Sequence, residues 1–537
     1  MLVSNRDDLV AEVCASILSR CCEVHSQEET IEQFDPGLKL VMELLDSKLG
    51  SVQEAGMEAI ASLTRKNKRM AQIVGRDAET IEKLLRLSKL GKTTNVKLLS
   101  CRCIANLTNC VDGMRLNRKA SNPASGLGDF EEPGEGLWEE AVKLRMQVLP
   151  IVIRLLEQLA DAHVPHILAK LVKDSSDLQR MAHDANAVSI LTSWLQNPGP
   201  ATGAAELREG ILLAIGAIAE NLEDARRQVN DLDGIPTVVK MLKDADPKVR
   251  AAACFCAKSL SRSQKAIKKR LFDANIDTPL LSLLRDPSSK VQASASATLC
   301  NLALNYQPMK ENLLSNGGVR ELGELARSED GVLRLHSAWA IKNILYRADR
   351  RLKEQVMQEL AWPQLLQLLN DEEREVQAQA VGIVRNLVHG KESDIEHVIR
   401  YRAGEILHIL ERILSGDKGH SSSEGDDSSM RTMCMYAISN ITSGSDEHKE
   451  VIMQSPIIES VLQCLKDKCC ELRVAAAWTI INLSWPKDGD ESKVESRVKR
   501  LKEMGFQGQL ESMKEDASLN VKDRVMQALK HFSPYDK

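Results

Sequence analysis

Residues 333–344, LRLHSAWAIKNI, and 472–483, LRVAAAWTIINL, lie over one another without a gap. Four more segments take the same register: VRAAACFCAKSL (249–260), VQASASATLCNL (291–302), VQAQAVGIVRNL (376–387) and MRTMCMYAISNI (430–441). Each reads as one helix, crowded with Ala, Ser and Cys whose small side chains let neighbouring helices approach closely. The eleventh position is Ser259, Asn301, Asn343, Asn386, Asn440 and Asn482, at steps of 42, 42, 43, 54 and 42 residues by subtraction. Self-similarity at such a period marks a stacked array in which no unit buries its apolar face alone.

The period is that of HEAT and armadillo units, so the expected fold is an all-α, armadillo/HEAT-type α-α superhelix (solenoid). A leading amphipathic helix is predicted before each aligned one, as in IPTVVKMLKDADP (235–247), DTPLLSLLRDPSS (277–289) and PQLLQLLNDEERE (363–375). Upstream, VQEAGMEAIASL (52–63), VKLLSCRCIANL (96–107) with its own Asn106, and LREGILLAIGAI (207–218) fit more loosely. The expected organisation is N-terminal armadillo-like repeats over 1–110, a disordered insertion at 111–137 and a degenerate helical repeat at 138–187. Regular repeats follow over 188–537. The long 54-residue step carries GDKGHSSSEGDDSS (416–429), a tract too polar to bury, predicted to be an inserted loop whose removal does little to stability.

Composition narrows the function. At 537 residues the chain exceeds one compact core, and Lys+Arg 71 against Asp+Glu 76 provides no field for gripping a phosphate backbone. No nucleic acid and no membrane partner is expected, and the opening residues lack the apolar run of a signal peptide. A cytoplasmic and nuclear protein is predicted. None of the 13 cysteines stands in a C-x2-C pair, and Cys21/Cys22, Cys101/Cys103, Cys254/Cys256 and Cys469/Cys470 are read as buried structural thiols. Nucleotide, zinc-protease, nucleophile-elbow and RING motifs are all missing, so no enzyme, cofactor or metal is expected.

Residues four apart share a helix face. Four before the ladder position stand Ala297, Trp339, Gly382, Tyr436 and Trp478, and three after it stand Leu304, Tyr346, His389, Ser443 and Trp485. Aromatics are 3% of the chain, so their clustering here is a signal. An Asn amide has donor and acceptor arms for the main chain of an extended peptide, and indoles between them would form side-chain pockets. A lone Asn more often ties down a neighbouring loop; five in register point to ligand contact. The candidate groove is Asn301, Trp339, Asn343, Tyr346, Arg385, Asn386, Tyr436, Asn440, Trp478, Asn482 and Trp485.

The pairs Trp339/Asn343 and Trp478/Asn482 resemble the armadillo family at large. Importin-α-like receptors add acidic residues seven before the Asn, where this chain has Ser294, His336, Gln379, Met433 and Ala475. A β-catenin-like adaptor would show a strongly basic groove, and Lys342, Arg347 and Arg385 border the central ladder, able to fix a ligand carboxylate. More of the chain, including LPIVIRLLEQ (149–158), ELREGILLAIGAIAENLEDARRQ (206–228), ATLCNLALNYQPMKENLLSNGGVREL (297–322) and the closing stretch 472–506, is similar to the armadillo repeat-containing protein 8 family. That resemblance implies a non-catalytic scaffold in a CTLH/GID-type ubiquitin ligase, joining LisH-CTLH scaffold proteins to the tail of a substrate receptor and supporting proteasome-dependent degradation. It also implies that N-terminal repeats of that family are missing from this chain.

Overall fold

The computed structural model describes residues 13, 16–17, 35–65, 67–120, 135–197, 204–262, 265–416, 424–486 and 491–535. The described secondary structure is helical throughout, and the described chain resolves into two compact units that divide between Thr298 and Leu299. The solenoid expectation holds in each. In the first unit the helix Ala205–Ala219 packs between His163–Val172 and Pro247–Leu260. In the second, Gly331–Leu345, Arg374–Leu387, Glu424–Thr442, Cys470–Leu483 and Leu519–Phe532 stack in succession.

Each repeat has three helices where the sequence reading placed two. The missed first helices are short: Glu223–Asp231, Gln307–Ser315, Arg350–Leu360, Asp446–Gln454 and Glu491–Glu503. Most first helices turn into the second through a left-handed residue, Asn186, Asp233, Asn275, Gly317, Gly404 or Gly505, whereas Asp446–Gln454 does so through Ser455 and Pro456 without one. Asn, Asp and Gly tolerate that conformation, whereas Ala361 at φ 61° adopts it against its preference. N-caps then start the helices, as when Asp349 accepts from the Leu352 N–H at 2.8 Å.

Other boundaries move too. Helix Thr94–Ala120 runs ten residues into the stretch read as a disordered insertion, and residues 121–134 lie outside the described set. The degenerate stretch is occupied by Glu135–Gln158, His163–Val172 and Ser176–Asp184; the last of these is the first helix of the next repeat, which therefore opens ahead of 188. Helix Glu424–Thr442 takes up the second half of the polar tract, where Thr432 Oγ1 donates to the Ser428 carbonyl at 2.7 Å. Removing all of 416–429 would thus delete the start of this helix, and residues 417–423 lie outside the described set.

Between repeats, one device recurs that no single helix reveals. In five of the aligned helices the second residue of the register is an Arg whose guanidinium reaches forward to an Asp in the next repeat's second turn; Gln292 and Gln377 hold the place in two others. The pairs are Arg208–Asp244 and Arg250–Asp286 in the first unit, and Arg334–Asp371, Arg431–Asp467 and Arg473–Asp516 in the second, at 2.7–2.9 Å. Four of the five are bidentate. Each Asp also accepts the N–H two residues on, from Asp246, Ser288, Glu373, Cys469 or Ser518, opening its own third helix. Burial alone would raise the Asp516 carboxyl, but Arg473 and the Ser518 N–H outweigh it and hold it below the usual carboxylate range.

Cys101, Cys103, Cys254 and Cys256 are fully buried, as expected, and burial pushes the Cys101, Cys103 and Cys256 thiols up to about 12. Cys469 and Cys470 correct that reading, since both are half-exposed beside Glu471. Cys21 and Cys22 lie outside the described residues.

Candidate functional face of the second unit

The third helices carry the ladder because their eleventh residue falls where two successive helices meet. Each amide donates one N–H back to the previous third helix: Asn343 to the Cys300 carbonyl at 2.8 Å, Asn386 to Lys342 at 2.8 Å, Asn440 to Arg385 at 3.2 Å and Asn482 to Ser439 at 2.8 Å. The acceptor is always the residue just before the preceding ladder position. In the first unit Asn106 repeats the bond, to Ala61, and also accepts from Lys170 Nζ at 2.6 Å. A net contribution of ~1 kcal/mol per bond makes the ladder a structural stitch.

That is the tying role a lone Asn was expected to have, extended to the whole series. Among the described residues it leaves the amide oxygens of Asn343, Asn386, Asn440 and Asn482 uncommitted, whereas the Asn106 oxygen is taken by Lys170 and the Asn482 amide nitrogen also donates to Ser439 Oγ at 3.3 Å. Asn343 is buried, with 6% exposed, whereas Asn301, Asn386, Asn440 and Asn482 are half-buried. Of the flanking aromatics, Trp339 is 40% and Trp485 53% exposed, and Tyr346, Tyr436 and Trp478 are half-buried. Large exposed indoles in a chain this poor in aromatics are surface the fold has not used.

Cations accompany the rings. Lys342 Nζ lies 5.3 Å from the Trp339 centroid, the Arg385 guanidinium 5.2 Å from Tyr436, and Arg347 5.4 Å from Tyr346. Arg524 lies 4.4 Å from Trp478. Burial pulls the Lys342 ammonium below its ordinary range, and its Nζ is held by Gln379 Oε1 at 2.5 Å.

Arg524 and His531 were missed because the ladder was read as ending at Asn482. The segment VKDRVMQALKHF (521–532) keeps the register with His531 at the eleventh position, a signal hidden by the loss of Asn. His531 packs on Trp485 with ring centroids 5.2 Å apart, and its Nδ1 meets Ser484 Oγ at 3.2 Å. Burial lowers its pKa, opposed by a hydrogen bond to the Ile481 carbonyl, the acceptor an Asn would have used.

No group of three or more His, Cys, Asp or Glu side chains among the described residues is arranged to hold a metal ion, and no described helix is long and apolar enough to cross a membrane. The family description for a HEAT-like repeat matches residues 205–256. An engineered protein of known structure superposes with a TM-score of 0.57 at 20% identity, over 84% of this chain and 99% of its own. A chain from work on the phosphorylation switch controlling the interaction between cadherin and β-catenin superposes at 0.53 and 14% identity, over 100% and 98%. With the three-helix repeat and the stitched ladder, they place this protein among the armadillo/HEAT-type α-solenoids.

Similarity in sequence is narrower. Armadillo repeat-containing protein 8 of Danio rerio is 24% identical over 99% of this chain and 77% of its own length, and that of Mus musculus 26% identical over 72% and 58%. GID complex subunit 5 of Schizosaccharomyces pombe is 25% identical over 73% of this chain and 59% of its own. In sequence the chain is thus similar to the armadillo repeat-containing protein 8 family, and it matches less than two thirds of the length of the mouse and S. pombe relatives.

Proposed function

We propose that this chain is a non-catalytic armadillo scaffold of a CTLH/GID-type ubiquitin ligase, acting in cytoplasm and nucleus. It links LisH-CTLH scaffold proteins to a substrate receptor by holding an extended tail of that receptor along the ladder face of the second unit, and so supports proteasome-dependent degradation. The observation that carries the proposal is one series: Asn343, Asn386, Asn440 and Asn482 in a single register, each with its amide oxygen uncommitted among the described residues, beside the exposed indoles of Trp339 and Trp485. A relative named as a GID complex subunit supplies the complex. Lysine-rich signals fit less well, because no carboxylate stands seven before any ladder Asn from Asn301 to Asn482.

Affinity purification of the tagged chain with mass spectrometry tests it. LisH-CTLH and RING co-subunits are expected, and Trp339→Ala with Asn343→Ala is expected to weaken receptor capture at least ~tenfold while scaffold proteins still co-purify, since buried aromatic anchors dominate such interfaces. Circular dichroism checks the fold of the variant, which loses one hydrogen bond of ~1 kcal/mol. Absence of all such co-subunits overturns the assignment to this complex.

A further inference from the structure

The cations of the second unit are sorted by face. At the turn edge, Arg334, Arg431 and Arg473 are each neutralised by an Asp. On the ladder face, Lys342, Arg385 and Arg524 form no ion pair among the described residues; they lie over aromatic rings instead. Arg524 Nε is buried without a hydrogen-bond partner, and its Nη1 has only a 3.5 Å contact to Gln527. An unmatched buried donor is costly unless something arrives to meet it.

Around the ladder position itself the same face is poor in negative charge, its nearest acids being Glu375 and Glu471 eleven residues before the ladder and Asp523 eight before it. Count seven, four and one residues before the ladder position, the position itself and three after it, in the five third helices from 331 to 532. None of these places holds Asp or Glu, although Asp+Glu outnumber Lys+Arg in the chain by 76 to 71. A face that is locally cationic within an acidic protein, its cations without ion pairs while Arg334, Arg431 and Arg473 at the turn edge have them, is complementary to carboxylates.

We infer that the ladder face selects an acidic extended peptide, one whose Asp or Glu side chains meet Lys342, Arg385 and Arg524 while apolar side chains between them rest on Trp339, Tyr436 and Trp478. This rests on the reading of that face as a peptide-holding surface and adds the chemistry of the occupant. Third helices stack roughly 8–10 Å apart and an extended chain rises about 3.3 Å per residue, so neighbouring cations such as Lys342 and Arg385 call for acids about three residues apart. Stacking on the rings keeps each guanidinium planar and oriented, which favours bidentate capture of a carboxylate.

Fluorescence anisotropy with the purified full chain tests this, using labelled peptides of four Asp-Val-Thr repeats, of four Asn-Val-Thr repeats and of four Lys-Val-Thr repeats. The Asp peptide is expected to bind at least ~tenfold tighter than its Asn counterpart, with the gap narrowing as salt rises. Arg385→Gln with Arg524→Gln is expected to bring that ratio near one, and Arg385→Lys with Arg524→Lys to retain part of it. Equal binding of the Asp and Asn peptides, or preference for Lys, overturns the acidic selectivity and leaves the peptide-holding reading standing. If none of the three binds, both readings fall.

Discussion

Arg334 shows how much one side chain does in this fold. It donates to Asp371 at 2.7 and 3.0 Å and to the Ser328 and Glu329 carbonyls of its own repeat. Replacing it with Ala strands a carboxylate that is 8% exposed, and is expected to cost ~2–3 kcal/mol, read as a lower urea midpoint with an unchanged slope. An exposed ion pair would cost well under ~1 kcal/mol. At this scale the sequence was legible in part. Trp339 and Asn343, four apart on one helix, declared a shared face; Arg334 and Asp371, 37 apart, did not, because only the stacking of repeats brings them together. The Asn series was read for its outward chemistry, and its inward bond to the preceding carbonyl became visible only with the neighbouring helix in place.

Elements were legible where packing imposes a long period and illegible where they are short. The third helices match their aligned segments closely, as Arg374–Leu387 does for 376–387, because their small and apolar residues must fit two neighbours at once. The first helices have about nine residues and one buried stripe, too little to stand out from loop. Their purpose lies in a buried lysine. Lys310 donates to the Tyr346 carbonyl, Lys353 to those of Leu387 and His389, and Lys449 to that of Trp485, closing the C-terminus of the third helix in the same repeat. Burial lowers the Lys310 ammonium to about 8. Lys353 also pairs with Asp394 at 2.8 Å. Lys353→Met is expected to destabilise by ~3 kcal/mol, and hydrogen exchange would show the end of Arg374–Leu387 opening before its middle.

For the molecule as a whole, stability follows nearest neighbours, so a terminal repeat protects the one before it. Ending the chain at Pro486 would remove Leu519–Phe532, whose Val521, Val525 and Phe532 are buried, and leave Arg473 without Asp516. We expect the truncated protein to unfold at lower urea, with amides of Cys470–Leu483 exchanging faster than those of Gly331–Leu345. The family resemblance was legible from motifs spread along the chain, such as 206–228 and 472–506, and is matched by a relative 24% identical over 99% of this chain. The last rung was lost to the reading because His531 replaced the residue being sought.

The forward-reaching Arg and waiting Asp have a consequence for how such a chain grows. Every repeat that carries both lends a positive charge downstream and supplies a negative one upstream. A duplicate of such a segment, as those with Asp244 and Arg250 or with Asp467 and Arg473, therefore arrives already able to dock at either end, and its gain or loss leaves no charge stranded, whereas loss of the repeat with Asp286 and Gln292 would strand Arg250.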